Sequence, residues 1–63
     1  MREGDRVIVL KGRYAGLRGK VASVRRGEAS VLLDRPPPGL LGPAIVRSSQ
    51  LAVTAHGFAD FRR

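Results

Sequence analysis

The residues with the most chemistry in them lie together in one stretch, Lys11 to Lys20, KGRYAGLRGK. Three glycines, Gly12, Gly16 and Gly19, alternate with four cations, Lys11, Arg13, Arg18 and Lys20, and Tyr14 and Leu17 stand among them. Two structures use such a composition. One is a loop that aims backbone N–H groups at a phosphate. The other is a tight turn, where glycine supplies positive φ or a close backbone approach at no steric cost, and the cations rim it. Spacing decides against a P-loop, which needs Gly, four residues, then Gly-Lys-Ser/Thr. Here Tyr14 holds the place of the first glycine, and Val21 follows Lys20, so the magnesium-binding hydroxyl is missing. A dinucleotide fingerprint, G-x-G-x-x-G, opens a helix, whereas this stretch leads into a strand. The glycines are therefore read as structural, and the cations they present as the candidate site.

Other reactive groups are sparse. The acids are Glu3, Asp5, Glu28, Asp34 and Asp60, with one histidine, His56, and no cysteine. No nucleophile motif joins Ser48 or Ser49 to His56, and no metal-ligand spacing includes it. Asp5 is expected to cap the first turn through backbone bonds, and His56 to be solvated. The chain is expected not to be an enzyme, and to need no metal, cofactor or small-molecule substrate.

Charge points to a class of partner. The 63 residues carry a formal charge of +7, and ten of the twelve basic residues are arginine. Arginine makes forked contacts to phosphate and stacks on flat rings, and a small basic domain is suited to a polyanion. Arg25 and Arg26 add to the four cations of the glycine stretch. The N-terminus, MREGDR, is polar and no apolar segment follows it. The longest clean aliphatic run, VIVL at Val7 to Leu10, is far shorter than the roughly 20 residues that span a membrane. No membrane partner is expected, and the location expected is the cytoplasm; the lack of cysteine fits a reducing compartment.

The elements that must position these groups are strands. Short Val-rich runs between Gly and Pro punctuation mark an all-β chain. Five are read: 6–10, 20–25, 29–34, 43–47 and 51–54. Arg26-Gly27-Glu28 suits a hairpin. The segment RPPPGLLG at 35–42 cannot be a central strand, because three prolines remove three donors. Ser48-Ser49-Gln50 reads as a single turn. No helix of ordinary length fits. Val7 and Val9 share one face. Val21 and Val24 break a two-residue period, and a bulge would turn both inward. Val31 with Leu33, or else Leu32, would follow, and Ile45, Leu51 and Val53 would complete the core. Five short, bent strands make a small closed or half-closed barrel. Residues 1–54 form the barrel in this reading, and 55–63 a C-terminal tail in which Phe58, Phe61, Arg62 and Arg63 either pack on the barrel or fold on a partner.

The series Gly4-Asp5-Arg6-Val7-Ile8-Val9-Leu10-Lys11-Gly12, then Gly16, then Gly19-Lys20-Val21 and Val24, resembles the KOW motif over roughly residues 4–34. That family includes a ribosomal protein of the large subunit and the C-terminal domain of the transcription factor NusG. Ala44-Ile45-Val46 and Ser48-Ser49-Gln50-Leu51 are similar to the closing strands of the NusG-type domain. The resemblance implies a five-stranded SH3-like barrel. Ribosomal members bind ribosomal RNA through the basic loop, which here is Lys11, Arg13, Arg18 and Lys20. The NusG-type domain docks proteins, and its aromatic near the first two glycines has a counterpart in Tyr14. The N-terminal domain of a NusG protein is not expected ahead of the motif, so the chain is expected not to be a complete NusG.

Two readings follow. In the first, the Lys11–Lys20 loop and Arg25-Arg26 lie on neighbouring connections and form one basic rim for ribosomal or nascent RNA, with Tyr14 stacked on an unpaired base or else covering the barrel mouth. In the second, Tyr14, Leu17, Leu40 and Leu41 dock a transcription or ribosomal protein, or a second copy of the chain. Leu40-Leu41 is then an exposed apolar tip, unless it folds back over the core. The first reading, an RNA-binding module in a ribosome or transcription setting, is preferred.

Overall fold

The computed structural model describes residues 1–56. It is all-β, with strands β1 (Arg6–Val9), β2 (Arg18–Arg25), β3 (Glu28–Leu33), β4 (Ala44–Arg47) and β5 (Leu51–Ala55), and a single 3-10 turn at Ser48–Gln50 between the last two. The strands make one antiparallel sheet in the order β4-β3-β2-β1-β5. The chain passes from one edge strand to the other through the 3-10 turn, so the sheet curls on itself in the SH3-like manner expected, while the ladder stays open between β4 and β5. Leu10 N donates to Gln50 O at 2.7 Å and Ser48 N to Gly27 O at 2.8 Å, tying the 3-10 turn to both ends of the sheet. The expected tail residues Phe58, Phe61, Arg62 and Arg63 lie outside the described residues.

Alternation builds the core. β1 reads half-buried, buried, half-buried, buried along RVIV, with Val7 and Val9 inside. They meet Val21, Ala29, Val31, Leu33, Ala44, Val46 and Leu51. The register in β2 shifts between Val21 and Ser23, which leaves Ala22 as the extra residue of a bulge. Beyond it Val24 pairs with the buried Ala29, on the side expected of it. Val24 is nevertheless 39% exposed, because it lies near the strand end, away from the centre of the core.

Two further core expectations are corrected. Ile45 faces outward and is 58% exposed, whereas Ala44 and Val46 are buried. Every residue of Ala44-Ile45-Val46 is apolar, so alternation carries no parity there. Pairing with β3 supplies it, setting Ala44 opposite Val31, Val46 opposite Ala29, and Ile45 opposite Ser30. Val53 lies opposite Val7 but stays partly exposed, because β5 is an edge strand. On β3 it is Leu33, not Leu32, that turns inward.

Candidate nucleic-acid interface

The glycines shape the connection from β1 to β2. After the last paired residues, Ile8 and Arg18, two further backbone bonds narrow the loop: Val9 N to Leu17 O at 2.9 Å and Gly16 N to Val9 O at 2.7 Å. Within it, Ala15 N donates to Gly12 O at 3.2 Å and Leu17 N to Tyr14 O at 3.0 Å, two overlapping turns. Gly12 and Gly16 take φ of +89° and +88°, left-handed values that L side chains rarely adopt. Gly19 serves differently. A Cβ there would stand 2.4 Å from the Leu32 carbonyl oxygen and 2.9 Å from the Leu33 Cα, so β2 and β3 approach as closely as they do only because it has no side chain.

These turns hold Tyr14 and Leu17 half-buried against the core, where Leu40 of the β3–β4 connection joins them. The apolar pair Leu40-Leu41 therefore divides: Leu40 folds back and Leu41 is 97% exposed. Two clefts flank this contact. One, of about 400 Å³, has Lys11, Arg13 and Tyr14 on one wall and Leu40, Pro43 and Ile45 on the other. The second, of about 480 Å³, lies between Arg13, Tyr14 and Leu17 and the Pro37–Leu40 segment. Arg13 and Tyr14 line both. A guanidinium beside a phenol ring, over an apolar floor, can take a flat ring against the phenol and a phosphate against the cation.

Arg18 and Lys20 project from the outward face of β2, and Lys20 pairs in register with Arg6. Arg6 forms an ion pair with Asp34, at the end of β3, reaching across the outer face of β2. The hydrogen bond from Arg6 holds the Asp34 carboxyl below the usual carboxylate range, with lesser help from the charges of Arg6, Arg18 and Arg35. Arg6 and Arg35 were not among the expected site residues. Alternation does place Arg6 outward, but only the sheet brings it to Asp34, which shares a cleft with Arg18 and Arg35.

Arg25 and Arg26 are expected on a connection neighbouring the glycine loop. They lie at the β2–β3 hairpin, the far end of β2 from the glycine loop. Both connections nevertheless meet the 3-10 turn, where Ser48 N donates to Gly27 O and Leu10 N to Gln50 O. At that end Glu28 pairs with Arg47. The two-residue turn has φ of 29° at Arg26 and 83° at Gly27, positive at both as the tightest hairpins require.

Asp5 is buried, 1% exposed, and accepts the Arg2 N–H at 2.9 Å, the capping role expected of it. His56 Nδ1 stands 3.7 Å from Asp5 Oδ1, with its own side chain largely exposed. Among the described residues no three His, Asp or Glu side chains gather as metal ligands do.

No curated protein compared with this chain matches it. A protein-family comparison does: the KOW motif matches residues 3–34, just over half of the 63 residues. The matched span runs from the Asp5 turn through β1, the glycine loop, β2 and β3 to Asp34. Gly12, Gly16 and Gly19 fall inside it, and the chain belongs to the KOW-motif family of binding modules.

Proposed function

We propose that the protein is a non-catalytic RNA-binding module working in a ribosome or transcription setting, and that RNA enters at the glycine-loop end. The observation that carries this reading is the pair of clefts sharing Arg13 and Tyr14. Lys11, Arg13 and Arg18 contact phosphates, Lys20 extends the basic surface along β2, and Tyr14 offers the exposed part of its ring to an unpaired base. Affinity then comes mostly from the backbone, with modest sequence preference. Arg25 and Arg26, at the other end, make a separate contact with a longer RNA.

A fluorescence titration of the full chain against structured RNA, single-stranded RNA and duplex DNA across a salt series tests this. One RNA class is expected to bind several-fold tighter and to keep that preference near physiological salt. Lys11→Glu with Arg13→Glu is expected to weaken binding at least tenfold at low salt, since at least two phosphate contacts are lost. Equal binding of all three, released together as salt rises, overturns the reading.

One observation favours protein docking as the second reading: Leu41, 97% exposed beside the Tyr14 clefts. Tyr14, Leu17, Leu40 and Leu41 then receive a transcription or ribosomal protein, or a second copy of the chain. Sedimentation of wild type and Leu41→Ser at rising concentration checks the self-association branch, in which only the wild type gains mass.

A further inference from the structure

The outward face of β1–β3 holds an anion-binding arrangement that already contains an anion. Arg6 reaches across β2 to the Asp34 carboxylate, and both side chains are nearly half exposed. Asp34 N donates to Arg18 O at 2.9 Å, which fixes the base of the Asp34 side chain beside β2. A cleft of about 380 Å³ is lined by Gly16, Leu17, Arg18, Asp34 and Arg35. Arg6 pairs with the Asp34 carboxylate and Arg18 and Arg35 line the same cleft as it, so three arginines stand about one acid, a surplus of two formal positive charges. Leu17 also lines the second Tyr14 cleft, so the two sites adjoin.

We propose that Arg6, Arg18 and Arg35 form a phosphodiester site for the RNA backbone, which the Asp34 carboxylate occupies in the free protein and which an incoming phosphate takes over. This rests on the RNA reading above and adds Arg6 and Arg35 to it. A carboxylate and a phosphate offer the same paired oxygens to an arginine fork. An exposed ion pair is weak and easily exchanged, so Asp34 holds Arg6 toward the cleft without blocking it. Asp34 then tunes affinity: with it present, one cation of the three is partly spent before RNA arrives.

The test combines RNA titration with arginine side-chain NMR. Asp34→Asn is expected to bind single-stranded RNA about fivefold tighter near 0.1 M salt, with a salt slope steeper by roughly 0.7, the value of one additional phosphate. Arg35→Ala is expected to weaken binding by a similar factor while its melting temperature matches the wild type, Arg35 making no hydrogen bond to Asp34 comparable to that of Arg6. The Arg6, Arg18 and Arg35 Nε–H signals should move on addition of inorganic pyrophosphate, and further in Asp34→Asn. Unchanged RNA affinity and slope in a folded Asp34→Asn protein overturn the proposal. RNA binding that leaves the three signals still overturns the site but not the RNA reading. Pyrophosphate shifts in a protein that ignores RNA do the reverse, supporting a phosphate site and removing RNA as its ligand.

Discussion

Gly19 shows what a single missing atom does. A methyl group there would press on the backbone of β3, at 2.4 Å from the Leu32 oxygen, and backbone cannot move aside as a flexible side chain does. Gly19→Ala is therefore expected to cost about 3 kcal/mol. That is a large share of the roughly 3–9 kcal/mol available to a domain of this size. A fall in the urea midpoint, read by circular dichroism, checks it. Asp34 makes a second prediction at this scale. Its carboxyl is held below the usual range by the Arg6 hydrogen bond, so the folded state favours the charged form. The stability this contributes is fully present above the ordinary carboxylate pKa and is lost as pH falls through the lowered folded value. Thermal melts of wild type and Asp34→Asn should differ most at neutral pH, the wild type being the more stable by a small margin because the pair is exposed. The two should converge in acid. A gap that stayed constant with pH would detach the effect from ionisation.

Among the elements, the hairpin between β2 and β3 carries a local conflict. Its two-residue turn needs positive φ at both positions, and Arg26 occupies the first. Asparagine or glycine takes that conformation more readily. Arg26→Asn should raise stability by about 0.5 kcal/mol, seen as a higher urea midpoint at unchanged slope. The natural arginine is thus a charge kept at the hairpin tip against local backbone preference, in keeping with a role in contacting a partner. The glycine loop has the opposite character. Its turn residues match the conformation they adopt, its base is bonded to both β1 and the 3-10 turn, and Tyr14 and Leu17 are seated on the core. Such a loop presents Arg13 from a fixed base, so little ordering is required when a ligand arrives.

Across the whole molecule, among its described residues, Lys11, Arg13, Arg18 and Arg35 stand around the glycine loop and the start of β2. Arg6 and Lys20 lie paired on the sheet, and Arg25, Arg26 and Arg47 stand at the β2–β3 hairpin. Charge reversal can be read against that division. Arg13→Glu with Arg18→Glu should weaken a short RNA oligonucleotide strongly. Arg25→Glu with Arg26→Glu should leave it nearly untouched and weaken only an RNA long enough to reach both ends. Filter binding with short and long RNAs at one salt concentration separates these outcomes. Equal loss in both variants with the short RNA would mean that the ends act as a diffuse field rather than as distinct contacts.

The sequence by itself determined a good deal: five strands separated by glycine and proline, a turn at Ser48–Gln50, the bulge in β2, the inward Val7, Val9 and Val21, and the KOW pattern. These follow from local rules, namely side-chain alternation, turn chemistry and residues bound to one backbone conformation, which act over a few neighbours. What only the tertiary structure decided depended on which strands lie side by side. Pairing with β3 turned Ile45 outward, since an all-apolar run has no parity of its own. The curl of the sheet split Leu40 from Leu41, and it carried Arg6 from β1 across β2 to Asp34 at 28 residues' remove. The physical reason is common to all of these. Register and sheet order are fixed by contacts distant in sequence, and a site assembled across strands exists only once those contacts have formed.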